Sequence, residues 1–537
     1  MTDEETTTDW DEECDVLVIG SGGGGLTGAC TTAAAGLDTL VVEKTGHYGG
    51  TTAYAGACLW LPGNAAQARA GVEDSAELGR AYFRAVVGDS TPADLQDAYI
   101  DNAGPTVDFL ERDHDVLFEH RPFPDYFDAP GRFPLGRGVF PVEYPAPEAG
   151  DDLLAAVRPA AWEERLGVRG PEGPFTDGRA LIARLLVALR ATGHGRTRLR
   201  TALTALVTDA DGAVTGAELS TSGGEGTLRV RARRGVLLAA GGFEASHRLR
   251  REWQRLPGAD WTMGAPGANT GDAILAAQAI GADTALLAES WWCPSVLFPD
   301  GSANFALGFR GGVFVDRHGR RFANECLPYD RMGRAMLAAD VGNSPDRPVW
   351  WVFDGRWGEE PPGIVVVPAD RKSFAEAGLW HTADTLDELA AATGIDATGL
   401  AGTVRAFNAY AADGADADHH RGEDPYDRFF ADGTGPNPCL VPVDQGPFHA
   451  VRLVLGDLGT KGGLRTDTAA RVLRADGAVI PGLYATGNTM ASVAGPYYPG
   501  PGAPIGSAMV FGHLAGRHLA GRGARLLADS AAEHGRA

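Results

Sequence analysis

One stretch decides the fold: residues 15–44, which read DVLVIGSGGGGLTGACTTAAAGLDTLVVEK. The apolar run at 15–19 is typical of a buried strand, and a cluster of glycines follows it directly. Small residues from Leu26 to Ala35 predict a helix, and a second apolar run at 39–42 predicts another buried strand. The stretch therefore predicts a strand, a helix and a second, parallel strand, with the glycines at the first turn.

The glycine turn has the spacing of a dinucleotide-binding site. Gly20, Gly22 and Gly25 match G-x-G-x-x-G, and Glu43 closes the second strand. In this pattern the first glycine allows a tight turn, the second lets the backbone approach a pyrophosphate, and the third lets helix and strand pack closely. Free N–H groups at the helix N-terminus favour phosphate, and Glu43 accepts hydrogen bonds from ribose hydroxyls. A glycine-rich turn without a ligand does not account for all four features together.

Further glycine clusters favour FAD over NAD as the dinucleotide. The chain has a single G-x-G-x-x-G pattern of this kind, so FAD and NAD do not each have a separate site. The clusters at 49–56, 487–488 and 502–507 would let backbone lie against a flat ring system, and the last one opens a helix. The predicted cofactor contacts are Gly20, Ser21, Gly22, Gly25, Glu43, Lys44, Gly50, Thr51, Thr52, Gly56, Gly242, Gly487, Asn488, Ile505 and Gly506.

Composition and charge exclude several classes of protein. The chain has 537 residues, 44% of them hydrophobic, so it can bury a large core over two or three domains. Its net charge of −23 argues against nucleic-acid binding, and no apolar run reaches the ~20 residues of a membrane helix. Residues 1–13 are acidic and polar, unlike a signal peptide, which predicts a cytoplasmic protein. Six scattered cysteines form no C-x-x-C pair, so neither a disulfide framework nor a metal site is expected.

The character of the sequence changes along the chain and predicts its division into domains. Residues 288–451 are rich in aromatic residues, prolines and polar loops, whereas the flanking segments have buried strands that end in glycines. The predicted fold class is α/β: a Rossmann-like FAD-binding domain built from residues 1–287 and 452–537, with an inserted α+β domain at 288–451 for substrate and catalysis. Residues 143–175 are expected to form an irregular surface excursion, and a final helix is predicted from Ile505 to Leu527.

These glycine clusters resemble those of the FAD flavoprotein superfamily that contains the fumarate reductases, the succinate dehydrogenases and the 3-ketosteroid dehydrogenases. The resemblance covers nearly the whole chain. Residues 16–64 resemble the N-terminal flavin region of that superfamily, and residues 319–325 (GRRFANE) are similar to its G-x-R-F-x-N-E segment. Residues 459–464 and 482–488 are similar to its C-terminal flavin region.

Two shorter segments resemble the 3-ketosteroid Δ1-dehydrogenases in particular: residues 498–503 (YPGPGA) and residues 327–329 (LPY). In fumarate reductases, the fourth residue after the glutamate of the G-x-R-F-x-N-E segment is a proton-donating arginine. Tyr329 occupies that position here. The resemblance therefore implies desaturation of a carbon–carbon bond beside a ketone rather than reduction of fumarate.

The resemblance also implies the roles of four residues in a 1,2-desaturation of a 3-ketosteroid. The Tyr498 hydroxyl and the Gly502 N–H would hold the ketone oxygen and stabilise the enolate as it forms. Tyr329 would take the proton from C2 while a hydride leaves C1 for N5 of the flavin. Tyr126 would donate a hydrogen bond to Tyr329, because a phenol with a pKa of about 10 needs help to act as a base.

The implied partners are a small, apolar, steroid-like ketone and an electron acceptor that the sequence does not identify. Five aromatic residues of the predicted insert either line an apolar cleft or form the core of that domain: Trp291, Trp292, Phe298, Phe305 and Phe309. Each tyrosine is equally open to a packing role. Two other functions stay open at this point. One is another flavin-dependent ketone desaturase or ene-reductase, such as a Δ4-(5α) steroid enzyme or one for a non-steroid cyclic ketone. The other is a flavin carrier without turnover.

Overall fold

The computed structural model describes residues 9–148, 150–221 and 226–534, so residues 1–8 of the acidic N-terminal segment lie outside it. The strands are β1 (Glu12–Ile19), β2 (Thr39–Val42), β3 (Leu59–Trp60), β4 (Phe118–His120), β5 (Gly138–Pro141), β6 (Gly195–Arg198), β7 (Thr201–Thr208), β8 (Val214–Thr221), β9 (Gly226–Leu238), β10 (Thr284–Ala285), β11 (Ser290–Leu297), β12 (Ala303–Leu307), β13 (Val313–Val315), β14 (Val349–Asp354), β15 (Ile364–Val365), β16 (Trp380–Ala383), β17 (Phe448–Thr460), β18 (Gly463–Leu464), β19 (Arg471–Leu473) and β20 (Val479–Ala485). The helices are α1 (Gly23–Ala34), α2 (Ala65–Arg69), α3 (Ala76–Val87), α4 (Ala93–His114), α5 (Asp152–Ala155), α6 (Ala161–Leu166), α7 (Asp177–Ala191), α8 (His247–Gln254), α9 (Asp272–Ala279), α10 (Tyr329–Ala338), α11 (Arg371–Glu376), α12 (Leu386–Thr393), α13 (Ala397–Asp413), α14 (Pro425–Phe429) and α15 (Ala503–His534).

The larger sheet is built around the parallel strands β20, β9, β1, β2 and β6, with antiparallel neighbours β7, β8 and β19. In β1, Val16 pairs with Thr39 of β2 on one side and with Gly235 of β9 on the other. The apolar residues of β1 and β2 are buried, as expected for a parallel sheet that is covered on both faces. The predicted strand–helix–strand unit and the α/β class are confirmed.

Helices α1 and α15 approach each other closely because glycines face the contact. A Cβ atom on Gly24 would lie 2.8 Å from the carbonyl oxygen of Ala508, and one on Gly512 would lie 2.2 Å from that of Gly24. Larger residues would push the helices apart. The predicted last helix is confirmed and extends further at both ends. Neither α15 nor any other helix in the described part of the chain combines the length and apolar character that crossing a bilayer requires.

The second sheet is antiparallel, with the strand order β13-β14-β17-β11-β12-β15 and with β16 paired to β17. Trp351, Phe353 and other aromatic residues fill one side of it. Strand β17 continues across residue 451, where the sequence places a domain boundary, and ends at Thr460. The Thr460 hydroxyl accepts a hydrogen bond from the N–H of Phe243 at 3.2 Å, so β17 joins this sheet to the segment that follows β9.

Residues 143–175 are more ordered than the predicted surface excursion. They contain the short helices α5 and α6, and the side chains of Leu154, Arg158 and Ala161 are buried. The prolines and glycines of this segment mark the turns between these helices rather than a segment without structure. This part of the chain therefore packs against the core and contributes to the site described next.

Candidate active site

A cleft of about 580 Å³ extends from the turn between β1 and α1 to the start of α15. Its polar end contains Glu43 and Lys44, and its apolar end contains Phe305 and Leu307. The walls come from segments distant in sequence: 19–25, 42–44, 50–58, 160–162, 201–203, 239–241, Glu244, 268–270, 272–273 and 486–488, together with the start of α15.

The turn between β1 and α1 forms a cradle, and two of its glycines are packed too closely against neighbouring backbone to carry a side chain. Gly20 has φ of +106°, and a Cβ atom there would lie 2.3 Å from the carbonyl oxygen of Ala239. A Cβ atom on Gly25 would lie 2.3 Å from the carbonyl oxygen of Gly20. The first turn of α1 carries no acidic residue, so nothing there repels an anion. This cradle fits the pyrophosphate of a dinucleotide.

Glu43 and Lys44 continue the polar end of the cleft. The Glu43 carboxylate accepts hydrogen bonds from the Ser21 hydroxyl at 2.7 Å and from the N–H of Thr45 at 2.9 Å, so it braces the glycine turn. The Lys44 ammonium lies 2.7 Å from the Asp272 carboxylate. Sequence reasoning missed Asp272, because it lies 228 residues away and only the fold brings it here.

The segment 50–54 is held between α1 and the loop before α9. The Thr52 hydroxyl accepts a hydrogen bond from the N–H of Gly23 at 3.2 Å, and the Thr51 hydroxyl accepts one from the Asn269 amide at 2.8 Å. Glu244 is buried nearby in the wall of the cleft, and its Oε1 has no hydrogen-bond partner among the described residues. Burial raises the pKa of Glu244 to about 7. Sequence reasoning also missed this residue.

Two tyrosines meet at the apolar end of the cleft. The Tyr329 hydroxyl donates to that of Tyr498 at 2.6 Å, and the N–H of Gly502 lies 3.4 Å from the same Tyr498 oxygen. Tyr126 lies behind them, and its ring centroid is 5.6 Å from that of Tyr329 and 5.3 Å from that of Tyr498. A fourth tyrosine, Tyr426, lies 5.3 Å from Tyr126 and was not predicted. The residues that the sequence indicated are thus brought together by the fold.

Burial disfavours ionisation of these phenols. It raises the pKa of Tyr329 well above its usual value, and interaction with Tyr498 adds to this shift. It also raises the pKa of Tyr498, against which the hydrogen bonds from Tyr329 and from the Gly502 N–H act. The Tyr126 hydroxyl is buried without a hydrogen-bond partner among the described residues, so the hydrogen bond from Tyr126 to Tyr329 that the resemblance implies is not formed in this structure.

The segments that carry Tyr126 and Tyr498 are tied to each other. The Pro499 carbonyl accepts hydrogen bonds from the N–H of Tyr126 at 3.0 Å and from the Tyr82 hydroxyl at 2.6 Å. Beside Tyr126, the Asp125 carboxylate is paired with the buried Arg137 guanidinium. These contacts fix Tyr126 in place, although its side chain does not line the cleft.

The position of Gly502 does not accommodate a side chain without a shift of the backbone. Its φ is +83°, and a Cβ atom there would lie 1.9 Å from the carbonyl oxygen of Cys58. The close approach of Gly502 to Cys58 places its N–H at the apolar end of the cleft. Any side chain would displace the backbone that carries this N–H.

Comparison with known proteins agrees with this geometry. A family described as "FAD binding domain" matches residues 15–505. The 3-oxosteroid 1-dehydrogenase of Mycolicibacterium smegmatis is 39% identical over 95% of this chain and 97% of its own length. The chain belongs to the FAD-dependent 3-oxosteroid 1-dehydrogenase family. It is therefore an FAD-dependent oxidoreductase, and the predicted family and cofactor are confirmed.

Two further comparisons extend the family. The crystal structure of the 3-ketosteroid Δ1-dehydrogenase from Sterolibacterium denitrificans in complex with 1,4-androstadiene-3,17-dione matches with a TM-score of 0.86 and 33% identity, over 95% of this chain and 100% of that one. The 4-oxocyclohexanecarboxylate 2-dehydrogenase of Sinomonas cyclohexanicum is 37% identical over 95% of this chain and 93% of its own length. The family therefore includes proteins named for steroid and for simpler cyclic ketones.

The FAD site predicted for this family member is mostly gathered in the cleft. All predicted cofactor contacts except Gly242 and Gly506 line it. A Cβ atom on Gly242 would lie 1.9 Å from the Thr460 hydroxyl oxygen, and one on Gly506 would lie 3.0 Å from the carbonyl oxygen of Trp60. These two glycines therefore lie behind the cleft wall and allow close packing there.

The aromatic residues predicted for a substrate cleft in this family divide between cleft and core. Phe305 lines the cleft, with its ring centroid 4.8 Å from that of Tyr329, and Trp291 contacts Tyr498 at 5.0 Å. The other three belong to the packing of the antiparallel sheet: Trp292, Phe298 and Phe309. The sequence did not separate the two sets, because both are aromatic and lie in one segment.

Proposed function

We propose that the chain catalyses the FAD-dependent 1,2-desaturation of a 3-ketosteroid. The observation that carries this function is the convergence of the Tyr329 hydroxyl, the Tyr498 hydroxyl and the Gly502 N–H at the apolar end of the cleft. The names of the relatives and the steroid in the Sterolibacterium denitrificans structure support this substrate class. The apolar lining around Phe305 and Leu307 suits the body of such a ligand.

Tyr498 and Gly502 are proposed to hold the ketone oxygen. The Gly502 N–H is directed at the Tyr498 oxygen 3.4 Å away, so the two groups are neighbours, and a ketone oxygen placed between them would accept a hydrogen bond from each. Hydrogen bonds from fixed donors stabilise the negative charge that develops on this oxygen as the enolate forms. This polarisation makes the C2 proton of the substrate easier to remove.

Tyr329 is proposed to remove that proton from C2. The electron pair left by the C2–H bond forms the C1–C2 double bond as a hydride leaves C1. When bound, FAD supplies the acceptor for that hydride. Tyr329 acts in this step as its phenolate. Burial raises the pKa of Tyr329, which makes the phenolate a stronger base but less easily formed. An electron acceptor outside the chain completes the cycle.

We infer that FAD is held by the predicted contacts that line the cleft, with the pyrophosphate at Gly20–Gly25 and the ribose at Glu43. The proposed Rossmann-like FAD-binding domain consists of residues 1–287 and 452–537, and the proposed substrate domain is 288–451. Support comes from the two sheets, since the glycine turn follows β1 of the parallel sheet. Tyr329 comes from the middle segment and Tyr498 from the last one, so the reaction takes place where the two meet.

Desaturation of a non-steroid cyclic ketone is a second candidate. The relative named 4-oxocyclohexanecarboxylate 2-dehydrogenase, at 37% identity, is the observation in its favour. The two candidates use the same chemistry at the ketone and differ in the rest of the ligand. The apolar residues Met263, Phe305, Leu307 and Val366 in the lining favour the larger apolar substrate.

A product analysis tests the function and separates the candidates. Purified holoenzyme is incubated with an artificial electron acceptor and either a 3-keto-4-ene steroid or 4-oxocyclohexanecarboxylate. We expect the steroid product to be lighter by two hydrogen atoms in mass spectra, with new vinyl protons at C1 and C2 in NMR spectra. Turnover of the cyclohexanone alone would favour the second candidate. The regiochemistry is tested in a separate incubation with a saturated 5α-3-ketosteroid, where a 4,5-desaturated product would contradict the proposal.

A further inference from the structure

A buried ion pair lies behind the tyrosine pair, outside the cleft. The Lys461 ammonium is 2.9 Å from the Asp330 carboxylate, and the side chains are 0% and 1% exposed. The same ammonium donates to the Pro496 carbonyl at 2.8 Å. Arg334 completes the cluster, because its guanidinium contacts Asp330 and also donates to the Pro496 carbonyl.

The partners of Lys461 are the chain neighbours of the two tyrosines. Asp330 directly follows Tyr329 in the first turn of α10, and Pro496 precedes Tyr498 by two residues. The ammonium of Lys461 therefore connects the segment that carries one phenol to the segment that carries the other. Arg334 bridges the same two groups, so two cations together join segments whose tyrosines are 169 residues apart in sequence.

Lys461 also supports the wall on which Tyr498 rests. Its ammonium lies 4.6 Å from the ring centroid of Trp291, at cation–π distance. The Trp291 ring contacts that of Tyr498, and its indole N–H donates to the Asn488 side chain at 3.1 Å.

This pair is costly to bury. Burial lowers the pKa of Lys461 to about 8, although Asp330 acts against that shift. Removing two charges from water costs several kcal/mol per ion, and apolar replacements of buried pairs are often neutral or stabilising. A gain in stability therefore does not explain the buried pair. Its position beside the segments that carry Tyr329 and Tyr498 indicates a role in placing those side chains.

We propose that Lys461 is a positioning residue that, through Asp330 and Pro496, sets the contact between the Tyr329 and Tyr498 hydroxyls. The inference rests on the proposed function for its kinetic consequence. Lys461 does not line the cleft, so it does not contact the substrate. Lys461 acts on the distance between the two hydroxyls. That distance determines whether Tyr498 can polarise the ketone while Tyr329 removes the proton from the same substrate.

The test compares three variants as FAD-loaded enzymes: the double variant Lys461→Met/Asp330→Asn, the variant Lys461→Arg and a surface control. Lys461→Met leaves the Asp330 carboxylate without this partner, so the double variant Lys461→Met/Asp330→Asn removes both charges and protects folding. The control is Lys372→Met, whose side chain is 84% exposed on α11. We expect the double variant to keep the flavin spectrum and a KM within about threefold of the wild type, while kcat falls at least tenfold. Lys461→Arg, which keeps the charge, is expected to recover part of kcat.

Crystal structures of the wild type and the double variant give a readout that does not depend on turnover. We expect the distance between the Tyr329 and Tyr498 oxygens to increase beyond hydrogen-bond range in the double variant. An unchanged distance together with kcat within twofold of the wild type would overturn the proposal. A wild type that converts no ketone contradicts the proposed function, and in that case the crystallographic distance alone decides the positioning role.

Discussion

At Tyr498, one oxygen receives two hydrogen-bond donors of different kinds, a phenol and a backbone N–H. The Tyr329 phenol is buried and Gly502 is partly buried, so both donors act in surroundings of lower dielectric constant than water, where such contacts are stronger. Of the two tyrosines, only Tyr329 is proposed to accept a proton in the reaction. The two tyrosines therefore make separable contributions.

The first prediction concerns Tyr329→Phe. This variant is expected to bind FAD and a dienone product as the wild type does, but to lose at least about 100-fold in the rate of flavin reduction, because it has no base for C2. Anaerobic stopped-flow absorbance with a 3-keto-4-ene steroid measures that rate. Tyr410→Phe, a substitution on α13 away from the cleft, is the control. An undiminished rate in the Tyr329 variant would refute the base assignment.

The second prediction concerns Gly502→Ala. The added Cβ would lie 1.9 Å from the carbonyl oxygen of Cys58 at a φ of +83°, so the backbone has to move. We expect a loss of activity of at least about 100-fold, the usual effect of losing an oxyanion donor, and a lower Tm. Gly402→Ala, where nothing lies within 4 Å of the new atom, is expected to change neither by a comparable amount. Activity and thermal denaturation are measured on both.

At the scale of elements, the packing of α15 on α1 carries a histidine into the core. His513 of α15 is 5% exposed, and its Nδ1 lies 2.9 Å from the Thr31 hydroxyl of α1. Its ring also contacts that of Phe109 of α4 at 4.7 Å. Three helices thus enclose a side chain that would need water if it were protonated.

The third prediction is that acid destabilises this helix contact. Burial lowers the pKa of His513 from 6.5 to about 4. The unfolded chain therefore binds this proton more readily, so the stability of the folded protein falls as pH decreases from about 6.5 to about 4. The loss from this residue reaches at most roughly 3 kcal/mol. Urea denaturation at several pH values measures it.

His513→Gln is expected to flatten this part of the pH dependence. His318→Gln, at an exposed position, is the matched control and is expected to leave the profile unchanged. A profile with the same slope in the His513 variant would show that other groups cause the acid sensitivity.

At the scale of the whole molecule, the cleft is lined by segments from residue 19 to residue 508. A ligand that fills it contacts parts of the chain that lie far apart in sequence and are joined by strand pairing, hydrogen bonds and packing. Binding to the folded state alone stabilises a protein by RT ln(1 + [L]/Kd), which is about 2.7 kcal/mol when the ligand is at 100 times its Kd. FAD is therefore expected to contribute to global stability.

The fourth prediction follows from that linkage. Removal of FAD should lower Tm by several degrees, and its return should restore Tm in proportion to the logarithm of its concentration. Riboflavin, which has no pyrophosphate to occupy the cradle at Gly20–Gly25, is the control and is expected to raise Tm much less. Equal effects of FAD and riboflavin would place the main contacts away from the glycine turn. Differential scanning fluorimetry follows both.

Features whose residues lie close together along the chain could be predicted from the sequence, whereas contacts between distant residues could not be predicted from local pattern. The glycine turn, α1, β2 and Glu43 lie within 30 residues, so local pattern was sufficient to predict them. The meeting of Tyr329 with Tyr498 was implied by a resemblance, since no periodicity relates positions 169 residues apart. Asp272 was missed as a partner of the site because only the fold brings it there. Glu244 and Lys461 were missed although Glu244 stands beside the predicted contact Gly242 and Lys461 lies within the segment 459–464. Their roles depend on burial, which the fold alone determines.

Strand β17 has thirteen residues, pairs with β14 and β16 in its first part and with β11 in the rest, and ends beside Lys461 and the segment that follows β9. Bending the strand at this junction would break its backbone hydrogen bonds, so the junction is rigid and does not act as a hinge. A wide parting of the two halves of the molecule would have to break it. We therefore expect the ketone to reach the flavin by the rotation of side chains around Phe305, with the two sheets staying in place.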